Sequence, residues 1–354
     1  MNNSYFFHHR EYTKDGLLTY AENKLKQPNL QDWERDLFSF IVQWFSATDY
    51  ISIHTSGSTG TPKEIRISKD RMVRSAERTL QYFNVKPFEN ILLCLPVKYI
   101  AGMMMVVRAF TGSLNLLTLP SNQLQLDSVK DSIGFASMVP LQMDRLLNER
   151  QNFDLITKLL LGGTPVSFNL TEKLKVSFKG LAWETYGMTE TITHVAVRKI
   201  FDEVQVFHAL PGISFSSDEH ERLIISDPFI QDQPVYTNDR VELLSKISFR
   251  LLGRFDNVIN SGGIKIQPEE LERLLEPVIE TKYCITSVPD EKFGEMVVLV
   301  VEKGGDLNQI REKLRNLEGY KQPKKVIEIE KIPVTSNGKV DYKGVRVMIN
   351  KLSI

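Results

Sequence analysis

Cysteine is nearly absent from this chain. Its two thiols, Cys94 and Cys284, sit singly inside the apolar runs Leu92-Leu93-Cys94-Leu95 and Tyr283-Cys284-Ile285. They cannot supply a disulfide framework or a metal-ligand spacing, and they read as reduced core residues of a cytosolic protein. Net charge is absent too: 44 basic residues balance 44 acidic ones, so no overall field recruits nucleic acid or an anionic membrane surface. Long apolar runs are missing. The longest, Ile100 to Val107, stops at Arg108 and is far too short to span a bilayer, so no integral membrane association is expected. The stretch Met1 to Arg10 lacks the basic-then-apolar order of a signal peptide. No internal repeat or low-complexity tract is evident. What is present is 354 residues, enough to bury a large core and to divide into two or more domains.

The apolar pattern divides the chain. Trp33, Leu37, Ile41, Trp44 and Phe45 recur at helical spacing, which predicts a helix packed onto a first strand at Tyr50 to His54. Strand-like runs then alternate with amphipathic segments: Ile91 to Leu95, Leu114 to Leu119, Phe135 to Val139, Leu159 to Leu161 and Leu181 to Tyr186. That alternation implies a layered α/β core with parallel pairing. Beyond His194, short strands separated by Pro211-Gly212, Asp227-Pro228 and Gln233-Pro234 suggest a β-rich subdomain. After Gly253 a compact α+β unit is expected, with helices at Pro268 to Leu275 and Leu307 to Leu317 and strands near Tyr283 to Val288 and Val297 to Val301.

One segment is dense in chemistry. Thr55-Ser56-Gly57-Ser58-Thr59-Gly60-Thr61-Pro62-Lys63 follows Ile51-Ser52-Ile53 and can turn hydroxyls, backbone N–H groups and one cation onto a polyphosphate. It is not a Walker A loop, because two residues separate Gly57 from Gly60 and Glu64 follows Lys63. An ordinary surface loop can have the same composition. Four further segments accompany it: Gly162-Gly163-Thr164-Pro165, Tyr186-Gly187-Met188-Thr189-Glu190, Tyr236-Thr237-Asn238-Asp239 with Gly253-Arg254-Phe255-Asp256, and Pro333-Val334-Thr335-Ser336-Asn337-Gly338-Lys339.

In order and spacing these five segments resemble the adenylate-forming superfamily of acyl- and aryl-CoA ligases, luciferases and peptide-synthetase adenylation domains. The resemblance runs from about Ser52 to the C-terminus. It implies a large N-terminal domain, residues 1–253, of layered α/β subdomains with a β-rich subdomain, and a small mobile α+β domain, residues 254–354. Family members usually have a longer stretch before the phosphate loop than the 54 residues present here, so the N-terminal subdomain is expected to be reduced. In this the chain is similar to short o-succinylbenzoate:CoA ligases of some bacteria.

The resemblance also implies roles. Thr55, Ser56, Gly57, Ser58, Thr59, Gly60 and Lys63 would hold the phosphates of ATP, and Gly162, Gly163 and Thr164 would meet adenine. Tyr186 would stack on the purine, Thr189 would reach the α-phosphate, and Glu190 would hold Mg2+. Asp239 and Arg254 would bind the ribose hydroxyls. Lys339 would bridge the acid's carboxylate and the α-phosphate, and Asp256 would be the hinge. In a second pose Gly262 and Gly263 would replace Lys339 and leave a narrow path for the arm of coenzyme A. The reaction implied is carboxylate adenylation by ATP followed by transfer to CoA.

Three residues bear on the acid, expected to be a small carboxylic acid. Arg108 closes an apolar run and needs a partner if buried; it is read as the anchor of the second carboxylate of o-succinylbenzoate. Tyr99, in Lys98-Tyr99-Ile100-Ala101-Gly102, stands where many acyl-CoA ligases have a pocket-side histidine. His194 alternates along a strand and faces either the acyl pocket or the core.

Overall fold

The computed structural model describes residues 4–55, 63–230, 232–319, 321–335 and 340–352. From the N-terminus the elements are β1 (Ser4–Phe7), β2 (Arg10–Thr13), α1 (Lys14–Leu25), α2 (Asp32–Phe45), β3 (Tyr50–Thr55), β4 (Lys63–Ser68), α3 (Lys69–Tyr82), β5 (Asn90–Leu93), α4 (Ile100–Gly112), β6 (Asn115–Thr118) and β7 (Phe135–Met138). There follow α5 (Pro140–Asn148), β8 (Lys158–Leu161), α6 (Phe168–Ser177), β9 (Leu181–Gly187), β10 (His194–Lys199), β11 (Phe207–Ala209), β12 (Ser214–Ser217), β13 (Arg222–Ser226), β14 (Val235–Ser245) and β15 (Ser248–Arg254). The last elements are β16 (Ile259–Ser261), β17 (Ile264–Ile266), α7 (Pro268–Leu275), β18 (Tyr283–Asp290), β19 (Gly294–Glu302), α8 (Leu307–Arg315), β20 (Lys325–Ile329) and α9 (Tyr342–Leu352). The architecture is the mixed α/β one expected from the sequence. Among the described residues no helix is long and apolar enough to cross a membrane.

The chain forms two compact units. Met1–Val166, Leu170–Ser214 and Ile225–Val235 make the first; Ser167–Asn169, Phe215–Ile224 and Tyr236–Ile354 make the second. The boundary read at 253/254 thus falls inside the second unit.

In the first unit the strands follow the order β11-β10-β9-β8-β7-β5-β6-β1-β2. Strands β5 to β9 pair in parallel, as do β1 and β6, whereas β2 and β10 are antiparallel to their neighbours. Strands β5, β6 and β8 are short, largely apolar runs because helices cover both faces; Leu159 and Leu161 are fully buried, and Leu160 nearly so, whereas β9 alternates in burial and carries the ion-paired Glu184. Helix α4 is buried from Gly102 to Phe110, which explains why it is apolar all round. Gly102 is required there, since a Cβ would collide with the carbonyl of Pro96.

Two expectations are corrected. Tyr50 to His54 is a strand but not the first: β1 and β2 precede it, and β3 pairs antiparallel with β4 in a two-stranded sheet of its own. Its alternation of Ile51, Ser52 and Ile53 has the period of a half-exposed strand. The helix predicted from Trp33 onward is present as α2, but its aromatic contacts go elsewhere. Phe38 meets Phe7 and Tyr20, and Phe45 meets Tyr5 and stacks on Phe110.

In the second unit, β14 and β15 form a long antiparallel hairpin. Strands β16 and β17 are joined by Gly262 and Gly263 at φ +59° and +84°, the two positive values that a tight two-residue hairpin turn demands. The sheet order is β17-β16-β19-β18, with β20 parallel to β19. Along β19, Val297, Leu299 and Val301 enter one core with α7 and α8, while Val298 and Val300 enter another with α9.

Between those cores lies a polar joint. The carboxylate of Glu272 on α7 accepts from Tyr342 Oη of α9 (2.8 Å) and from the backbone N–H of Ile285 on β18 (2.7 Å), and Tyr283 Oη donates to the Glu272 carbonyl (2.6 Å). Burial, with smaller repulsion from Glu269 and Glu276, outweighs those bonds and pushes the Glu272 pKa from 4.5 up to about 7. A carboxyl raised on folding contributes stability that is complete below its unfolded pKa and is lost as pH rises through the folded one. Stability should therefore fall between about pH 4.5 and 7, by roughly 3 kcal/mol, and then level off. Denaturant unfolding of Glu272→Gln across that range should show a flatter slope than the parent; an identical slope would clear Glu272 of the effect.

Candidate active site

The carboxyl ends of parallel strands are where open α/β sheets bind ligands, and the first unit places several predicted residues there. Gly162, Gly163 and Thr164 leave β8. A Cβ on Gly162 would collide with Thr185 Oγ1 of the neighbouring β9, and Gly163 has φ +88°, so both glycines are already required by the backbone. Tyr186 is 8% exposed, its ring centroid 5.9 Å from that of Phe207. Past β9, Thr189 and Glu190 occupy a single 3-10 turn, Thr189–Thr191, with Glu190 exposed.

That turn is held tightly. The N–H of Met188 donates to Thr191 Oγ1 (3.0 Å), and the Thr191 hydroxyl is within reach of the Thr193 carbonyl (2.8 Å). Ile192, β-branched and buried, adopts φ +66°, a strained value of the kind found where a functional turn is fixed by its surroundings.

Next to the turn lies an unusual charge. Arg108 on α4 is 2% exposed. Its Nη2 donates to Thr193 Oγ1 (2.7 Å) and its Nη1 approaches Met105 Sδ (3.4 Å), while Nε has no hydrogen-bond partner and no carboxylate pairs with it among the described residues. Burial lowers its pKa to about 9. Arg78 on α3 is the contrast: it makes a two-pronged pair with Asp227 at 2.6 and 2.8 Å, both side chains largely buried.

Donor and acceptor accounting extends the Arg108 contact into a chain. Thr193 Oγ1 accepts from Arg108, so its hydrogen is left for His194 Nδ1 (3.2 Å). Nδ1 is then an acceptor, the ring proton sits on Nε2, and it faces Thr79 Oγ1 (3.4 Å), whose own hydrogen goes to the Ser75 carbonyl (3.0 Å). His194 is thus buried against α3. Burial, then the charges of Arg108 and Arg78, holds its pKa well below the usual 6.5. Tyr99 caps the N-terminus of α4 and is half exposed under Lys98 Nζ, 5.3 Å from the ring centroid.

In the second unit the β14–β15 register sets Asp239 directly opposite Arg254. Arg254 Nη1 reaches Asp239 Oδ1 and its Nε reaches Asp256 Oδ1, both at 3.2 Å. Burial alone would lower the Arg254 pKa, but the two carboxylates outweigh it and raise the value. Gly262 and Gly263 form the exposed tip of the β16–β17 hairpin.

Thr55 and Lys63 face each other across the β3–β4 pairing. Ser56, Gly57, Ser58, Thr59 and Gly60 lie outside the described residues, and so does Lys339. No group of three His, Cys, Asp or Glu able to hold a metal occurs among the described residues.

The sequence profile described as AMP-binding enzyme matches residues 11–216. The chain belongs to this family. A curated relative, the 2-succinylbenzoate–CoA ligase of Salmonella typhimurium, is 31% identical over 314 residues, which cover 82% of this chain and 67% of that protein. The chain therefore spans about two thirds of its length. Among solved structures, the acyl-CoA synthetase (AMP-forming)/AMP-acid ligase II-like protein of Dyadobacter fermentans matches with a TM-score of 0.62 at 30% identity, over 94% of this chain and 98% of that one. The o-succinylbenzoate CoA synthetase MenE of Bacillus subtilis, in complex with ATP and magnesium ion, shares the fold with a TM-score of 0.72 at 17% identity, over 94% and 82%.

Within this AMP-binding enzyme, sequence reasoning singled out Arg108 and His194 but missed Thr193 and Thr79, which join them. A lone threonine carries no sequence signal, and Thr193 lies 85 positions from Arg108. Two tests follow from the chain of bonds. Nitrogen-resolved NMR of His194 should find a neutral ring with the proton on Nε2 and no titration between about pH 5.5 and 8.5; a midpoint near the ordinary histidine value would refute the assignment. Thr193→Val should lower thermal stability by about 1–3 kcal/mol, because it strands a buried guanidinium N–H.

Proposed function

We propose that this protein is an ATP-dependent acid:CoA ligase that converts o-succinylbenzoate to o-succinylbenzoyl-CoA, a step of menaquinone synthesis, in the cytoplasm. The acid's carboxylate oxygen attacks the α-phosphorus of ATP, the bond to the β-phosphate oxygen breaks, and pyrophosphate leaves. The CoA thiolate then attacks the acyl carbon of the adenylate and AMP leaves. Membership of the AMP-binding family and the name of the Salmonella typhimurium relative support the reaction class.

The observation that carries the substrate is Arg108: a buried cation that no carboxylate pairs with among the described residues, beside the turn of Thr189 and Glu190. A dicarboxylic acid fits it. One carboxylate is activated, and the guanidinium grips the other in a two-pronged pair while Met and Val side chains of α4 pack the ring. Thr193 and His194 orient the guanidinium, and Tyr99 lines the approach.

The remaining roles follow the family pattern. Thr55, Lys63 and the intervening loop hold the phosphates, Gly162, Gly163 and Thr164 border adenine beside Tyr186, and Thr189 reaches the α-phosphate. Asp239 and Arg254 receive the ribose. Glu190, an exposed carboxylate with no cluster of three metal-ligating residues around it among the described residues, fits Mg2+, an ion usually held by one or two carboxylates together with substrate phosphates. When bound, that ion neutralises phosphate charge. Lys339 stabilises the charge that builds between carboxylate and α-phosphate. The small domain then turns about Asp256, and the Gly262–Gly263 tip admits the CoA arm.

Arg108→Ala should raise the KM for o-succinylbenzoate roughly 30-fold, equivalent to about 2 kcal/mol, and leave the KM for ATP nearly unchanged. If the parent itself ignores o-succinylbenzoate while activating another acid, the substrate is wrong and the ligase class stands. Lys339→Ala should cost adenylation roughly two to three orders of magnitude and spare thioester formation from a supplied acyl-adenylate. Equal losses in both steps would overturn its role. The observation favouring an enzyme over a binding relative is the presence of Lys63, Glu190, Asp239, Arg254 and Lys339 together.

A further inference from the structure

The end of β15 is held by side chains of a helix. Leu251 and Leu252 each offer a carbonyl to Arg273 of α7, at 2.9 Å from Nη1 and 2.8 Å from Nη2. The N–H of Arg254 donates to Glu269 Oε1 (3.1 Å), and the carbonyl of Arg254 accepts from Gln267 Nε2 (3.0 Å). Glu269 Oε1 also accepts from Asn257 Nδ2 (2.6 Å).

The three holding residues are themselves fixed. Gln267 is 3% exposed; its amide oxygen accepts from Arg240 Nη1 (2.9 Å) and its amide nitrogen also donates to the Glu269 carboxylate. Arg273 Nε donates to the Glu269 carbonyl (3.2 Å). Between them Gly253 leaves no room, since a Cβ there would collide with both Glu269 and Gln267. Asp256 thus sits in a segment whose backbone is bonded on its N-terminal side to a helix that follows it in the chain. Turning the chain about Asp256 carries α7 away from Leu251, Leu252 and Arg254, and the bonds that Arg273, Glu269 and Gln267 make to those three residues and to Arg240 have to open.

We propose that Gln267, Glu269 and Arg273 are positioning residues: a polar clasp across the Asp256 joint that favours one of its two poses and so sets the balance between adenylation and thioester formation. The proposal rests on the ligase reading and on Asp256 as its hinge. Bonds made in one pose and absent from the other shift the equilibrium by their difference. Arg240 and Gln267 supply the buried end of the clasp, Arg273 and Glu269 the end that grips backbone.

Arg273→Met keeps the length and apolar stem of the side chain and removes its donors. With the variant folded, the ratio of the adenylation rate, read by pyrophosphate exchange, to the thioester rate, read from supplied acyl-adenylate and CoA, should shift at least tenfold, one step falling while the other holds or rises. Glu269→Ala should shift the ratio in the same direction. Equal loss in both steps, or opposite shifts in the two variants, would overturn the clasp. Spin labels at Val176 and Val347, which are 88% and 57% exposed, judge it without chemistry: Arg273→Met should alter the distribution of distances between them, and an unchanged distribution overturns the proposal. If the parent carries out neither step with o-succinylbenzoate or any other acid, the ligase reading fails on its own, and the label distances still decide the clasp.

Discussion

Strands buried on both faces leave polar groups only the strand ends, and much of the first unit's organisation follows from that constraint. In β5, β6 and β8 the strand interiors are almost wholly aliphatic, and the one charge buried inside β9, Glu184, is held by Arg198 of β10. The hydroxyls, glycines and carboxylates that can meet a nucleotide are therefore pushed to the residues following β8 and β9. The Gly162-Gly163-Thr164 motif shows it directly, since it begins where the apolar run Leu159 to Leu161 stops. The same exclusion makes α4 apolar on every side and turns the one charge near its end into a feature that its neighbours must accommodate.

Where a run is continuous and apolar, its place in the sheet can be read directly; Ile91 to Leu95 and Leu159 to Leu161 are of this kind. Helix α7 was legible to the residue from Pro268 and its amphipathic repeat. Strands β1 and β2 were not, because each has four residues and the turn between them uses His8 and His9 at positive φ, where no glycine or asparagine announces a turn. Strand β3 was recognised as a strand but its partner β4 was not, since alternation tells that one face is covered and not by what.

The candidate site divides in the same way. Motif residues were legible because several unusual types are adjacent in sequence. Their supports were not. Thr193 and Thr79 are distant in sequence from Arg108, and Gln267, Glu269 and Arg273 look like the wet face of any surface helix. Only the fold reveals that this face meets the backbone of β15, with Gly253 as the sole trace left in the sequence.

Arg108 also has a bearing on how the protein keeps its shape. A dry guanidinium that no carboxylate pairs with among the described residues opposes folding, and its neighbours Met105 and Thr193 offset only part of that opposition. On the proposed reading the acid's second carboxylate relieves that opposition when bound, so supply of the acid would protect the chain from unfolding and turnover in the cell, and scarcity would leave more of it open to proteolysis.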